Sequence, residues 1–126
     1  MIEGVSRLIL DVDNQDRALA FWVEKIGFHL VQDAPYGDSG RWLEVRTRDG
    51  ANSLVLSVRK GELPITQDEL PTSNVFFYCD DLPRTYEELR ARGVDFPQPP
   101  VEQAWGWWSI FEDEEGNRFA LGQRER

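Results

Sequence analysis

The chain has 126 residues, 40% of them hydrophobic and 29% charged, the composition of a soluble globular domain large enough for its own core. A formal charge of −9 argues against a phosphate-backbone partner, because nucleic acids are held by basic surfaces. No apolar run approaches the roughly 20 residues of a membrane helix, residues 1–4 do not read as a signal peptide, and the single cysteine, Cys79, leaves no internal disulfide and suits a reducing cytoplasm.

Leu8, Leu10 and Val12 alternate with Arg7, Ile9 and Asp11, which predicts a strand over residues 6–13. Asp13 or Asn14 can cap a helix over 15–26, where Ala18, Phe21, Trp22 and Ile26 form one apolar face and Gly27 is the stop. Residues 29–33 and 41–48 read as strands joined by a turn-rich 34–40, and an Asp49-Gly50 turn leads to an apolar strand over 53–58. Residues 61–72, with Pro64 and Pro71, read as a linker.

The pattern then returns. Val75, Phe77 and Cys79 alternate with Asn74, Phe76 and Tyr78 in a strand over 73–80. Asp80 or Asp81 caps a helix over 82–92 whose stripe is Leu82, Tyr86 and Leu89, stopped by Gly93. Pro97, Pro99 and Pro100 argue against a regular central strand, so the second half's first return strand is expected to be degraded. A tryptophan-bearing strand, a Glu115-Gly116-Asn117 turn and a strand over 118–122 complete the repeat.

The fold class that follows is α+β: two pseudo-repeated βαβββ modules, about 5–60 and 73–123, in a single domain. Two antiparallel-rich sheets, each with a helix on its outer face, can join their helix-free faces into a curved, cup-like mixed sheet. Strand parity puts Leu8, Leu10, Val12, Val75, Phe77 and Cys79 under the helices. Arg7, Ile9, Asp11, Asn74, Phe76 and Tyr78 then face the cup.

Aligning the tryptophan strands on Gly50 and Gly116 matches Trp42, Glu44 and Arg46 with Trp108, Ile110 and Glu112, and Val45 with Phe111. Trp42, Glu44, Trp108 and Ile110 fall on the cup side. With Phe76, Tyr78 and the polar anchors Arg7 and Asn74 they make a surface suited to a flat, partly apolar ligand, unless the rings close up as core. Trp105 either rims the mouth of the site or covers the core edge, and Trp107, of opposite parity, packs under a helix or at a dimer contact. Glu44 opposite Arg7 reads first as an ion pair or ligand anchor and second as a general base raised by burial. His29, Cys79, Glu87-Glu88 and the Asp113-Glu114-Glu115 turn read as structural. The chain has no Ser-His-Asp arrangement, P-loop or dinucleotide fingerprint.

Residues 21–28 (FWVEKIGF), 80–82 (DDL) with 89–94 (LRARGV), Trp105-Gly106 and 111–119 (FEDEEGNRF) resemble, in order and spacing, segments of the vicinal oxygen chelate superfamily. That superfamily includes glyoxalase I, extradiol dioxygenases and bleomycin-resistance proteins. The resemblance covers nearly the whole chain. It implies a divalent metal with one ligand from each opening and each closing strand, at positions matching Arg7, Asn74, Val55 and Ala120. A guanidinium repels a cation, Val and Ala offer no lone pair, and one Asn is a poor donor set. The expectation is therefore no metal and no cofactor, although a shift of the closing strand would bring Ser57 in place of Val55. The resemblance further implies a homodimer that sequesters a small aromatic or amphipathic molecule in the manner of the resistance proteins. Alternatives are an enzyme of the superfamily using a non-standard metal site or acid–base chemistry at Glu44, and a structural or regulatory module with a collapsed cup.

Overall fold

The computed structural model describes residues 1–38, 40–58 and 75–124; the expected linker over 61–72 lies outside them. The chain divides into two compact units, Met1–Glu62 and Leu63–Arg126. No helix among the described residues is long and apolar enough to cross a membrane.

In the first unit β1 (Arg7–Val12) leads into α1 (Gln15–Ala20), which runs on as a π-helical turn (Phe21–Lys25) before β2 (His29–Tyr36), β3 (Gly40–Arg46) and β4 (Ser53–Val58). The sheet order is β1-β4-β3-β2, with β1 parallel to β4 and the other pairs antiparallel. Asn14 is the cap, its side chain accepting the Arg17 amide at 2.9 Å. The periodicity predicts one helix over 15–26; instead the last turn widens, with the Ile26 amide bonded to Phe21 O at 3.0 Å. The hairpin strands also reach further than expected, so that Pro35 and Tyr36 belong to β2 rather than to the turn.

In β1 the side chains sort by parity as predicted, with Leu10 and Val12 buried and Arg7, Ile9 and Asp11 exposed, whereas β3 and β4 are buried on both faces. Leu10, Val12, Leu43, Val45, Leu54 and Leu56 are buried, as are Ala18, Phe21 and Trp22 of the helical segment, and each large side chain buried in this way is worth about 1.5–3 kcal/mol. Polar groups fix the helix on the sheet. Gln15 Nε2 donates to Leu56 O at 2.9 Å and to Arg41 O at 3.2 Å. The Arg41 guanidinium donates to both Asp33 carboxylate oxygens at 2.8 Å and to Asp16 at 2.7 Å. The hydrogen bond from Arg41 in turn holds the Asp33 carboxyl below its usual range.

The second unit repeats the plan with β5 (Phe76–Cys79), α2 (Leu82–Ala91), β6 (Asp95–Gln103), β7 (Gly106–Glu112) and β8 (Arg118–Gln123), in the order β5-β8-β7-β6. Asp81 caps α2 through the Arg84 amide, and Leu82 and Leu89 are its buried stripe. Gly27 and Gly93, at φ 92° and 90°, end the two helical segments in the left-handed conformation that only glycine adopts at no steric cost. The core here is aromatic: Phe111 lies 5.3 Å from Phe119 and 5.9 Å from Phe77, and Phe96 meets Tyr86 edge-on at 4.9 Å.

One expectation is overturned. The proline-bearing return strand is not degraded, since β6 spans nine residues and pairs with β7 from Asp95 to Gln103. It is an edge strand, so the amides missing at Pro97, Pro99 and Pro100 need not all be answered by a neighbour, and two register shifts absorb the mismatch.

The repeat holds at the level of register. Ile9 and Glu44 both pair with Val55 in one sheet, while Phe76 and Ile110 both pair with Ala120 in the other. Val55 and Ala120 thus hold equivalent places, as do Ser57 and Gly122.

Candidate functional site: the helix-free faces of the two sheets

Side chains opposite the helix share a face in each sheet because parity alternates along every strand. In the first unit that face carries Arg7 and Ile9 from β1, Ser53 and Val55 from β4, Trp42 and Glu44 from β3, and Tyr36 from β2. Glu44 is its centre, only 2% exposed. Its Oε1 accepts Arg7 Nε at 3.1 Å and Trp42 Nε1 at 3.0 Å, and the Ser53 hydroxyl donates as well. Burial alone would raise the Glu44 carboxyl. The hydrogen bonds from Trp42, Arg7 and Ser53, with the arginine charge, outweigh it and hold the carboxyl below its ordinary value. The group is therefore an anion tied to three donors. Trp42 is fixed at one edge by this bond and packs at 5.6 Å against Tyr36.

In the second unit the corresponding face carries Phe76 and Tyr78, Trp108 and Ile110, then Ala120 and Gly122. Ile110 is 1% exposed, whereas Phe76 at 61% and Tyr78 at 48% stand open. The Phe76 ring lies across Gly122, where an added Cβ would come within 3.0 Å of Phe76 Cε1. A side chain there would have to share the space the ring now fills. Arg124 continues the parity of β8, and its guanidinium sits over the Tyr78 ring at 4.1 Å while donating to the phenol oxygen.

Of the expected ligand-binding residues, Arg7, Trp42 and Glu44 come together as one hydrogen-bonded group. Phe76, Ile110 and Ala120 share one cross-strand row, with Trp108 a neighbour through its pairing with Gly122. Trp105 stands at the tip of the β6–β7 hairpin, 59% exposed. Trp107 shares its strand face with Ser109 and Phe111. Asn74 lies outside the described residues. His29 is an exposed strand residue, and burial pushes the Cys79 thiol up, away from a reactive thiolate.

Three contributors were missed in the sequence. Tyr36 read as part of a turn. Ser53 and Arg124 each follow from extending the parity of β4 and β8 by one more step, a signal that was present.

Among the described residues, the divalent ion that the fold family implies finds no suitable donor side chains at the matching positions. Arg7 only donates, and it does so to Glu44; Val55 and Ala120 carry no lone pair. Among the described residues no group of three or more His, Cys, Asp or Glu lies together as a metal site would require.

The chain is similar to other proteins along almost its full length. It is 34% identical over 124 residues to the uncharacterized protein YetH of Bacillus subtilis (strain 168), covering 96% of this chain and 98% of that protein. Among solved structures it is similar to UcmS2, at TM-score 0.77 and 31% identity over 97% of this chain and 98% of the other. It is also similar to TnmS3, an antibiotic binding protein from Streptomyces sp. CB03234, at TM-score 0.79 and 29% identity over 98% of both chains. The model of the Glyoxalase/Bleomycin resistance protein/Dioxygenase superfamily matches residues 4–121. With nearly its whole length matched and its two βαβββ modules in equivalent register, the chain belongs to that superfamily.

Proposed function

We propose that this chain binds and sequesters a small aromatic or amphipathic molecule on its helix-free, aromatic sheet faces, without a metal ion and without transforming the ligand. The observation that carries the reading is the set of large side chains left open on those faces, Ile9, Tyr36, Phe76 and Tyr78, next to half-buried Trp42 and Trp108. Exposed aromatic surface with a few fixed polar groups is what a flat ligand needs. The similarity to an antibiotic binding protein supports a small-molecule ligand. Glu44 favours holding over catalysis, because three donors engage its carboxylate and its depressed pKa makes it a weak base. The proposal includes a homodimer in the cytoplasm, to be read by light scattering after gel filtration.

The test is a panel of aromatic antibiotics, followed by thermal shift and tryptophan fluorescence with and without EDTA. A cognate ligand at a hundred times its Kd stabilises the native state by about 2.7 kcal/mol, quenches tryptophan emission, binds equally well in EDTA and is recovered unchanged by mass spectrometry. Binding that requires a divalent metal, or a ligand recovered as product, would overturn the proposal. Trp108→Ala is expected to weaken binding by about tenfold, the scale of one lost aromatic stack.

A further inference from the structure

Arg124 directly follows β8 and has the parity of Gly122, and its amide donates to Cys79 O at 2.8 Å, which ties its backbone to β5. Its guanidinium lies over the Tyr78 ring at 4.1 Å and donates an Nη2 hydrogen to the Tyr78 hydroxyl. Gly122 pairs with Tyr78 on one side and with Trp108 on the other, and Phe76 lies across it. A positive charge is thus fixed at the edge of an aromatic patch, on a chain whose net charge is −9. The carboxylate of Glu112 is at the far end of β8, next to Arg118 at 3.6 Å, and does not neutralise this end.

A guanidinium over a ring, with one Nη2 hydrogen on the phenol oxygen, keeps its other in-plane donors, and a carboxylate or phenolate in that plane is an anion they fit. We infer, on the footing of the ligand-binding reading above, that Tyr78 and Arg124 with Phe76 and Trp108 form a subsite selecting a planar aromatic molecule with an acidic oxygen. Rings of the ligand lie against Phe76 and Trp108 while its carboxylate or phenolate meets Arg124. A neutral or cationic aromatic of the same shape gains the stacking and lacks the ion pair.

The experiment titrates the full chain with three probes of one ring system, naphthoate, naphthamide and naphthylmethylammonium, reading tryptophan quenching. Naphthoate is expected to bind about tenfold more tightly than naphthamide, the effect of one charge-assisted hydrogen bond, with the preference shrinking as salt is raised. Arg124→Gln should erase the preference by weakening naphthoate about tenfold, with the melting temperature as the check that the fold is kept; Arg124→Lys should keep part of it. Equal binding of acid and amide, tighter binding of the ammonium probe, or a preference that survives Arg124→Gln would each sink the subsite while leaving the ligand-binding reading intact. Failure of all three probes to bind would overturn both.

Discussion

Glu44 and Ile110 occupy the same place in two sheets of matching register, and both are buried, at 2% and 1% exposure. One is an anion and the other a hydrocarbon. Around Glu44 stand Arg7, Trp42 and Ser53, each donating a hydrogen bond, whereas around Ile110 stand Ala120 and the aromatic residues Phe76 and Trp108. The backbone repeat has kept its geometry while the two faces have taken opposite chemistry. A buried charge is tolerated only where its neighbours supply donors, so the polar group had to change together and the apolar group had to change together.

The largest effect is expected from importing one face into the other. Ile110→Glu places a carboxylate where no donor from the Arg7, Trp42 and Ser53 set exists, and should cost about 3–5 kcal/mol of stability in urea unfolding. A loss below about 1 kcal/mol would mean that the row of Phe76, Ile110 and Ala120 is open to water, and the contrast between the faces would collapse.

Breaking the polar group from within should cost less. Arg7→Met removes one donor, but the Arg7 side chain is 56% exposed, and Trp42 and Ser53 remain on Glu44. A loss of about 1 kcal/mol is expected after allowing for solvent screening. Adding Glu44→Gln should recover part of it, with a coupling of at least about 0.5 kcal/mol in the double-mutant cycle. Strict additivity would show that the ion pair contributes nothing and that Arg7 is free to serve a ligand.

The same carboxylate sets a pH dependence that the second face lacks. Because the folded Glu44 pKa lies below its ordinary value of 4.5, its contribution is present above that value and is lost as pH falls through the folded pKa. Melting temperatures followed down from neutral pH should fall less steeply through this acid range in Glu44→Gln than in the wild type. Identical acid limbs would contradict the depressed pKa.

The smallest stability effect, and the sharpest functional one, belongs to Phe76. At 61% exposure its replacement by alanine should change stability by about 0.5 kcal/mol while weakening an aromatic ligand about tenfold. Ile9→Ala, the matched change on the first sheet, should alter that affinity less, because it removes no ring. Equal losses from both would put the two faces on the same footing.

Much of the fold was legible because it is local. The alternation in β1 and β5, the caps and the paired stops at Gly27 and Gly93 are all set by nearest-neighbour geometry, and the alignment on Gly50 and Gly116 gave the matched pairs Trp42/Trp108 and Glu44/Ile110 that the register bears out. The β6 strand was misjudged since proline counts against a strand only when both edges are paired, and edge position is not written in a local window. The π-helical turn was missed for a similar reason: the apolar spacing over 15–26 is compatible with either winding.

The sequence by itself determined the two-module repeat, the sides on which residues fall and the lack of a metal-binding lone pair on the side chains of Arg7, Val55 and Ala120, because side-chain chemistry and a period of two need no tertiary knowledge. Only the tertiary structure decided that Arg7, Trp42 and Ser53 all converge on Glu44, that Phe76 lies across Gly122 and that Arg124 stacks on Tyr78. These contacts join residues on different strands, up to 46 positions apart. Their distances are set by strand order and by the rotamers packing allows, and neither is encoded in any short stretch of chain.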